Sequence, residues 1–162
     1  VMRKAQATVR ELGLASVLLL LLAAYLYINR LNISPEPSFK AKCVLPENFS
    51  CSSLILKTNG KLDFVLAQDT GGLINVTSFV CTKYQTFPPL PALNNSILIT
   101  SSEKAYVSGG NSGNEVLCTE RNGVSVPNAS IGDIYDGNLY ITFKFKNGEI
   151  KRINGTILVK YS

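Results

Sequence analysis

Histidine and tryptophan are both absent from the chain. Without histidine, one chain cannot supply a zinc site that uses imidazole, a Ser-His-Asp triad or a Cys-His nucleophile. It also lacks the side chain that ordinarily changes charge near neutral pH. Most common enzyme mechanisms are excluded on this ground, and no spacing of Ser with Lys, or of Asp with Asp, nominates another. Lysine and arginine outnumber acidic residues 16 to 11, a net charge of +5, but no cluster of them reads as a nucleic-acid groove. Arg3, Lys4 and Arg10 precede an apolar run, and Lys144, Lys146, Lys151 and Arg152 flank a hairpin pattern. Beyond residue 31 no stretch has the periodicity of a helix of useful length.

What is present is, first, the uncharged run from Leu12 to Ile28, LGLASVLLLLLAAYLYI. A helix of these seventeen residues would reach about 26 Å, close to the thickness of a bilayer core. A secretory apolar region is usually shorter and ends at a small-residue cleavage site; Asn29-Arg30-Leu31-Asn32 is not one. The run is therefore read as a retained membrane helix. Arg3, Lys4 and Arg10 on one side against Arg30 on the other put the N-terminus in the cytoplasm, with Tyr25 and Tyr27 near the exit interface. Pro35 and Pro37 then forbid helix and favour an extended linker. The expected organisation is residues 1–30 as a hydrophobic helix, 31–41 as a linker and 42–162 as a β-rich extracellular domain.

In that domain the period becomes two. Leu139, Ile141, Phe143 and Phe145 alternate with Tyr140, Thr142, Lys144 and Lys146, the pattern of a strand with one wet face. The strand runs into Asn147-Gly148, a type I′ turn signal, and a second strand follows through Ile157, Val159 and Tyr161. Asn59-Gly60 stands likewise between Leu54/Leu56 and Leu62/Phe64/Leu66, and Asn122-Gly123 between Val116/Cys118 and Val124/Val126. Three hairpins predict an antiparallel sandwich or open barrel, and Phe87-Pro-Pro-Leu-Pro91 predicts an exposed crossover between its halves. The fold class expected overall is α+β, a long N-terminal helix carrying a β-head.

The four cysteines, Cys43, Cys51, Cys81 and Cys118, all follow the apolar run. An even number in an oxidising compartment reads as two disulfides, whereas a zinc site of four thiolates calls for short Cys pairs that these spacings lack. Three connectivities are open; Cys43 with Cys51 and Cys81 with Cys118 is the one preferred. N-glycosylation sequons occur at Asn32, Asn48, Asn75, Asn94, Asn128 and Asn154, all beyond the run. Chance would give roughly two at this composition, although a β-protein rich in turns is rich in these residues anyway. With the cysteines, the excess points to an extracytoplasmic glycoprotein.

Several segments, in order, carry a resemblance. Lys4-Ala5-Gln6-Ala7-Thr8-Val9-Arg10-Glu11-Leu12 combines a basic tip, a small residue before Gln and an acid just before the apolar run. Cys43-x-x-Pro46-x-x-Phe49-Ser50-Cys51, Asn59-Gly60, Gly72-x-Ile74-x-Val76-Thr77-Ser78, Cys81-Thr82, Tyr135-x-Gly137-x-Leu139-Tyr140-Ile141 and Ile157-x-Val159-Lys160 follow. This order resembles archaeal type IV pilin-like proteins with a class III, prepilin-type signal, in particular those of small-genome archaeal lineages. The resemblance implies cleavage before Gln6, which leaves Glu11 sixth in the mature chain, where the usual pilin glutamate is fifth.

It further implies a structural subunit and not an enzyme. The precursor would sit in the membrane, be drawn out by a pilus assembly machinery and pack against its copies as a helical homopolymer, displaying the β-domain for adhesion or motility at the cell surface. Glu11, Gly13, Leu14, Val17, Leu18, Leu21, Leu22 and Tyr25 are the implied assembly residues. Gly13, Ala15, Ser16, Ala23 and Ala24 leave low spots for close helix approach, and Glu11 needs a compensating cation such as Arg10 or Arg30. No cofactor beyond N-linked glycans and no nucleic-acid partner are expected. The competing reading is a monomeric, single-pass, membrane-anchored surface glycoprotein or binding module.

Overall fold

The computed structural model describes residues 16–27, 39–86 and 88–162. The chain divides into two compact units, Val1–Ser38 and Phe39–Ser162, each taken by itself below.

In the first unit the described residues form helix α1 (residues 16–27). Leu and Ala dominate this stretch, and they are among the best helix formers. At 12 residues, α1 is about 18 Å long against a hydrocarbon core of about 30 Å. Among the described residues no helix is long and apolar enough to cross a membrane. The expectation of an α+β fold with a long, membrane-spanning N-terminal helix is corrected accordingly: among the described residues the fold is mostly β, with 52% of them in strands and this one short helix. Hydropathy records what must be kept from water, and that demand is met by a sheet interior as well as by a long helix.

The second unit has nine described strands: β1 (Lys42–Val44), β2 (Phe49–Leu56), β3 (Lys61–Gln68), β4 (Ile74–Thr82), β5 (Ala92–Ile99), β6 (Glu103–Ser108), β7 (Val116–Thr119), β8 (Ile134–Phe145) and β9 (Ile150–Lys160). Hydrogen bonding runs β1-β9-β8-β4-β7-β3-β2, with β5 added to β4 and β6 to β3. The two ends of this path, β1 and β2, are consecutive in sequence and are joined by the Cys43–Cys51 disulfide, whose Cα atoms are 6.1 Å apart. A bridge between Leu56 and Tyr161 and a 2.9 Å bond from Ser162 N–H to the Leu56 carbonyl close the same seam. The result is a nearly closed barrel. Its pairings are antiparallel except for β4 with β7, which is parallel.

Alternation fills the interior. Leu62, Phe64 and Leu66 from β3 meet Ile74, Val76, Phe79 and Cys81 from β4, with Leu139, Ile141, Phe143, Ile157 and Val159 from the β8–β9 hairpin. Phe64 and Phe79 stack with ring centroids 4.7 Å apart, an arrangement that adds about 1 kcal/mol to area burial. The expected wet face of β8 is corrected in part: Lys144 and Lys146 are exposed, but Tyr140 and Thr142 are only 4% and 8% exposed. The connection after β4 reaches Tyr140, its Tyr84 carbonyl accepting bonds from Tyr140 Oη (3.2 Å) and Asn138 Nδ2 (3.1 Å). That connection, described except at Phe87, joins neighbouring strands β4 and β5 and is no crossover between halves. Pro88 is buried, and the Pro91 carbonyl accepts from Ser78 Oγ at 2.6 Å.

The turns at Asn59-Gly60 and Asn147-Gly148 form where the spacing placed them, between β2 and β3 and between β8 and β9. Only the glycines have positive φ, +81° and +91°, whereas type I′ requires it at both central residues. These are three-residue loops in which a type I turn precedes a left-handed glycine. Gly148 N–H donates to the Phe145 carbonyl (2.9 Å) and Phe145 N–H to that of Glu149 (2.8 Å). The third expected hairpin does not form. A turn closes at Gly123, whose N–H donates to the Glu120 carbonyl at 2.9 Å, but residues 124–126 are not a strand. Pro127 cuts off a ladder there, and Val126 instead lies over Gly60, where a Cβ would collide with it. β7 is left to pair with β3 and β4.

Candidate functional site

Three features carry functional weight: helix α1, the sequons and a groove beside β4. Of the implied assembly residues, Glu11, Gly13 and Leu14 lie outside the described residues. Val17, Leu18, Leu21, Leu22 and Tyr25 lie on α1 together with Leu19, Leu20, Leu26 and Tyr27, and these nine side chains are 55–70% exposed. Twelve residues make more than three turns, so the exposed apolar surface goes all the way round the helix and is no stripe.

Of the sequons, Asn32 lies outside the described residues. Asn48, Asn94, Asn128 and Asn154 are exposed, Asn48 in a turn with a φ of +69° that asparagine tolerates. Asn75 differs from these. It sits in β4 between β5 and β8, is half-buried, and its Oδ1 is buried without a partner.

The two disulfides pair Cys43 with Cys51 and Cys81 with Cys118. Each staples a seam of the barrel. Cys81 and Cys118 face one another in the short parallel pairing of β4 with β7, Cα atoms 4.5 Å apart and both fully buried. Two such bonds fit an extracellular or secreted protein.

The groove follows from how β4 shares one edge. Its first half pairs with β5 as far as Ser78↔Ala92, and its end pairs with β7 from Cys81↔Cys118. Phe79 and Val80 have no partner on that edge, and between β5 and β7 a groove of about 590 Å³ opens, within the range of small-ligand sites. Its walls are Tyr84, Pro88 and Pro91 from the connection, Leu93 and Asn94 from β5, Val116, Leu117 and Thr119 from β7, and Asn122 and Val124 from the loop after β7. Val124 is 82% exposed, an apolar side chain standing open on the lip. Glu115, also on the wall, is held by Lys61 Nζ at 2.7 Å, and no second carboxylate lines the groove to make an acid–base pair. The walls offer apolar surface together with amide and hydroxyl groups.

Asn114 fixes the groove's far end. Only 5% exposed, it accepts from Asn95 N–H (2.8 Å) and donates through Nδ2 to the carbonyls of Asn95 (2.8 Å) and Val107 (3.0 Å). One amide side chain thus stands in for a ladder between β5 and β6. Its role was not legible in the sequence, where one Asn in a Gly/Ser/Asn loop looks like any turn residue. Beneath the groove, Tyr135 Oη donates to the Thr119 carbonyl at 2.8 Å. Burial, then the charges of Tyr161, Glu120 and Asp136, hold the Tyr135 phenol far above its ordinary range. Tyr161 is pushed up to about 12 by burial and then by Glu120 and Asp133. Lys83 pairs with Glu120 at 2.8 Å. Among the described residues no three Cys, Asp or Glu converge on a metal-sized site. Comparison with protein-family models and with curated proteins finds no match to this chain.

Proposed function

We propose that the chain is a structural subunit of an extracellular, type IV pilus-like filament, in which the apolar stretch containing α1 is covered by the same stretch of neighbouring copies and the β-unit is displayed, glycosylated, on the outside. The observation that carries this is the ring of nine large apolar side chains on one twelve-residue helix. Each Leu removed from water gains about 1.5–3 kcal/mol, and a patch this continuous marks an interaction surface. A helix polar on one face would need one neighbour. One apolar on every face needs several, which is the environment of a filament core, with lipid filling that place before assembly. The disulfide-stapled barrel and its exposed sequons at Asn48, Asn94, Asn128 and Asn154 suit an exterior coat exposed to proteases.

The test uses the full chain isolated from the cell surface. Negative-stain microscopy and sedimentation should find it in long fibres, and Leu20→Arg should leave it as small species whose disulfides and tyrosine spectrum are unchanged. A wild-type chain that extracts with detergent as a monomer, with no fibres on the cells, refutes the filament and supports a membrane-attached surface glycoprotein instead.

A further inference from the structure

We infer that the groove between β5 and β7 is the seat of the chain's own N-linked glycan at Asn94. The inference rests on the proposed glycosylation of this unit and adds where one glycan goes. Asn94 is exposed and forms part of the groove wall. Its neighbour Asn95 is engaged elsewhere, its Nδ2 donating to the Ser112 carbonyl at 3.3 Å. A sugar attached at Asn94 therefore starts at the groove wall.

The walls match what a sugar presents. Hexose rings have one face of C–H groups and a rim of hydroxyls. Leu117 and Val124 are apolar side chains left open to solvent, able to cover the C–H face. Thr119 Oγ1, which donates to the Cys81 carbonyl at 3.4 Å, keeps lone pairs to accept from the rim, and Asn122 Nδ2, which donates one proton to Ser125 Oγ at 2.6 Å, keeps a second. An isolated monosaccharide held by so few groups would bind weakly. Covalent attachment raises its local concentration to the millimolar range or above, so weak contacts suffice to keep the groove filled. Occupancy also explains why Val124, beside a turn that forms no hairpin, is apolar. In the glycosylated chain it is covered.

The experiment compares the full chain from a host that glycosylates it with Ser96→Ala, which removes the sequon and keeps Asn94, and with Asn94→Gln as a second route to the same loss. Peptide mass mapping reads occupancy at Asn94. Hydrogen exchange then reads residues 116–124, and an anilinonaphthalene sulfonate dye reads open apolar surface. With the glycan present, exchange in 116–124 should be slower by about tenfold, equivalent to 1.4 kcal/mol, than in either variant, and the variants should bind more dye than the glycosylated chain, beyond the share that α1 binds in every form. Val124→Asp should restore fast exchange with occupancy at Asn94 unchanged. Occupied Asn94 with identical exchange and dye binding in all forms overturns the inference and leaves the glycoprotein reading intact. Unoccupied Asn94 overturns the inference and removes this site from the reading as well.

Discussion

Removing the two disulfides separately should give unequal losses, and the order is fixed by where they sit. Cys81–Cys118 closes a sequence separation of 37 and Cys43–Cys51 one of 8. Constraint of the unfolded chain then contributes about 4 kcal/mol for the first and about 2.5 kcal/mol for the second. Burial widens the gap. Cys81 and Cys118 are fully buried among core residues, so the double change to alanine also empties space worth about 1–2 kcal/mol, while Cys43 and Cys51 are half-buried and their neighbours can close in. Against a total stability of about 5–15 kcal/mol, Cys81→Ala/Cys118→Ala should bring the β-unit to the edge of unfolding, and Cys43→Ala/Cys51→Ala should leave it folded. Urea titration of the full chain, followed by tyrosine emission since tryptophan is absent, measures both losses. Graded reduction with mass mapping of the freed thiols should show Cys43 and Cys51 opening first. Equal losses, or a larger one for the Cys43–Cys51 pair, would refute the idea that the β4–β7 seam depends on its disulfide more than the β1–β2 seam does.

Asn114→Ala strands the Asn95 N–H and the carbonyls of Asn95 and Val107; a loss of about 3 kcal/mol is expected in the same urea assay, and under 1 kcal/mol would show that β5 and β6 need no bridge. Tyr135 and Tyr161 have phenols raised above the ordinary 10.0 by burial first. The native state therefore favours their neutral forms, and stability should be level below pH 10 and fall as the pH rises toward 12. Tyrosinate absorbance that appears fully before unfolding begins would contradict this. Site-by-site mass mapping should find Asn75 the least modified of the described sequons, because its Oδ1 is buried within the sheet; full occupancy there would mean that sugar is added before β4 is paired.

The hairpins were the most legible part of the fold. Asn59-Gly60 and Asn147-Gly148 lie between runs of strict alternation, and local chemistry alone decides such turns. Asn122-Gly123 carried the same signal and failed, since Pro127 ended the second strand before it could pair and a non-local partner, β4, was free to take β7. A parallel pairing across 37 residues has no local signature. The outer face of β8 misled for a related reason: Tyr140 read as wet because nothing near it in sequence covers it, and the group that meets it is the carbonyl of Tyr84. The groove was illegible as a unit because its walls come from four separate segments, although Asn94 as a sequon and Val124 as a β-branched residue next to a turn were each visible.

How the barrel is closed bears on how copies of the chain can meet. An open sheet displayed at high density would offer unpaired edges to its neighbours, and edge-to-edge pairing is the usual route to unregulated aggregation. Here β1 and β2 are tied by a disulfide, by the Leu56–Tyr161 bridge and by Ser162, and β5 and β6 are joined through the amide of Asn114. With these edges tied at these points, strand addition has less to build on, and in the proposed filament association falls to the uncovered apolar surface of α1. Hydrogen exchange on assembled and unassembled full-length chain can separate the two routes. Protection in β1, β2, β5 and β6 should be the same in both forms, and protection gained on assembly should appear in residues 16–27. New protection confined to β5 or β6 would mean that the Asn114 bridge opens to admit a neighbour's strand, and that the barrel itself, and not α1, is the assembling element.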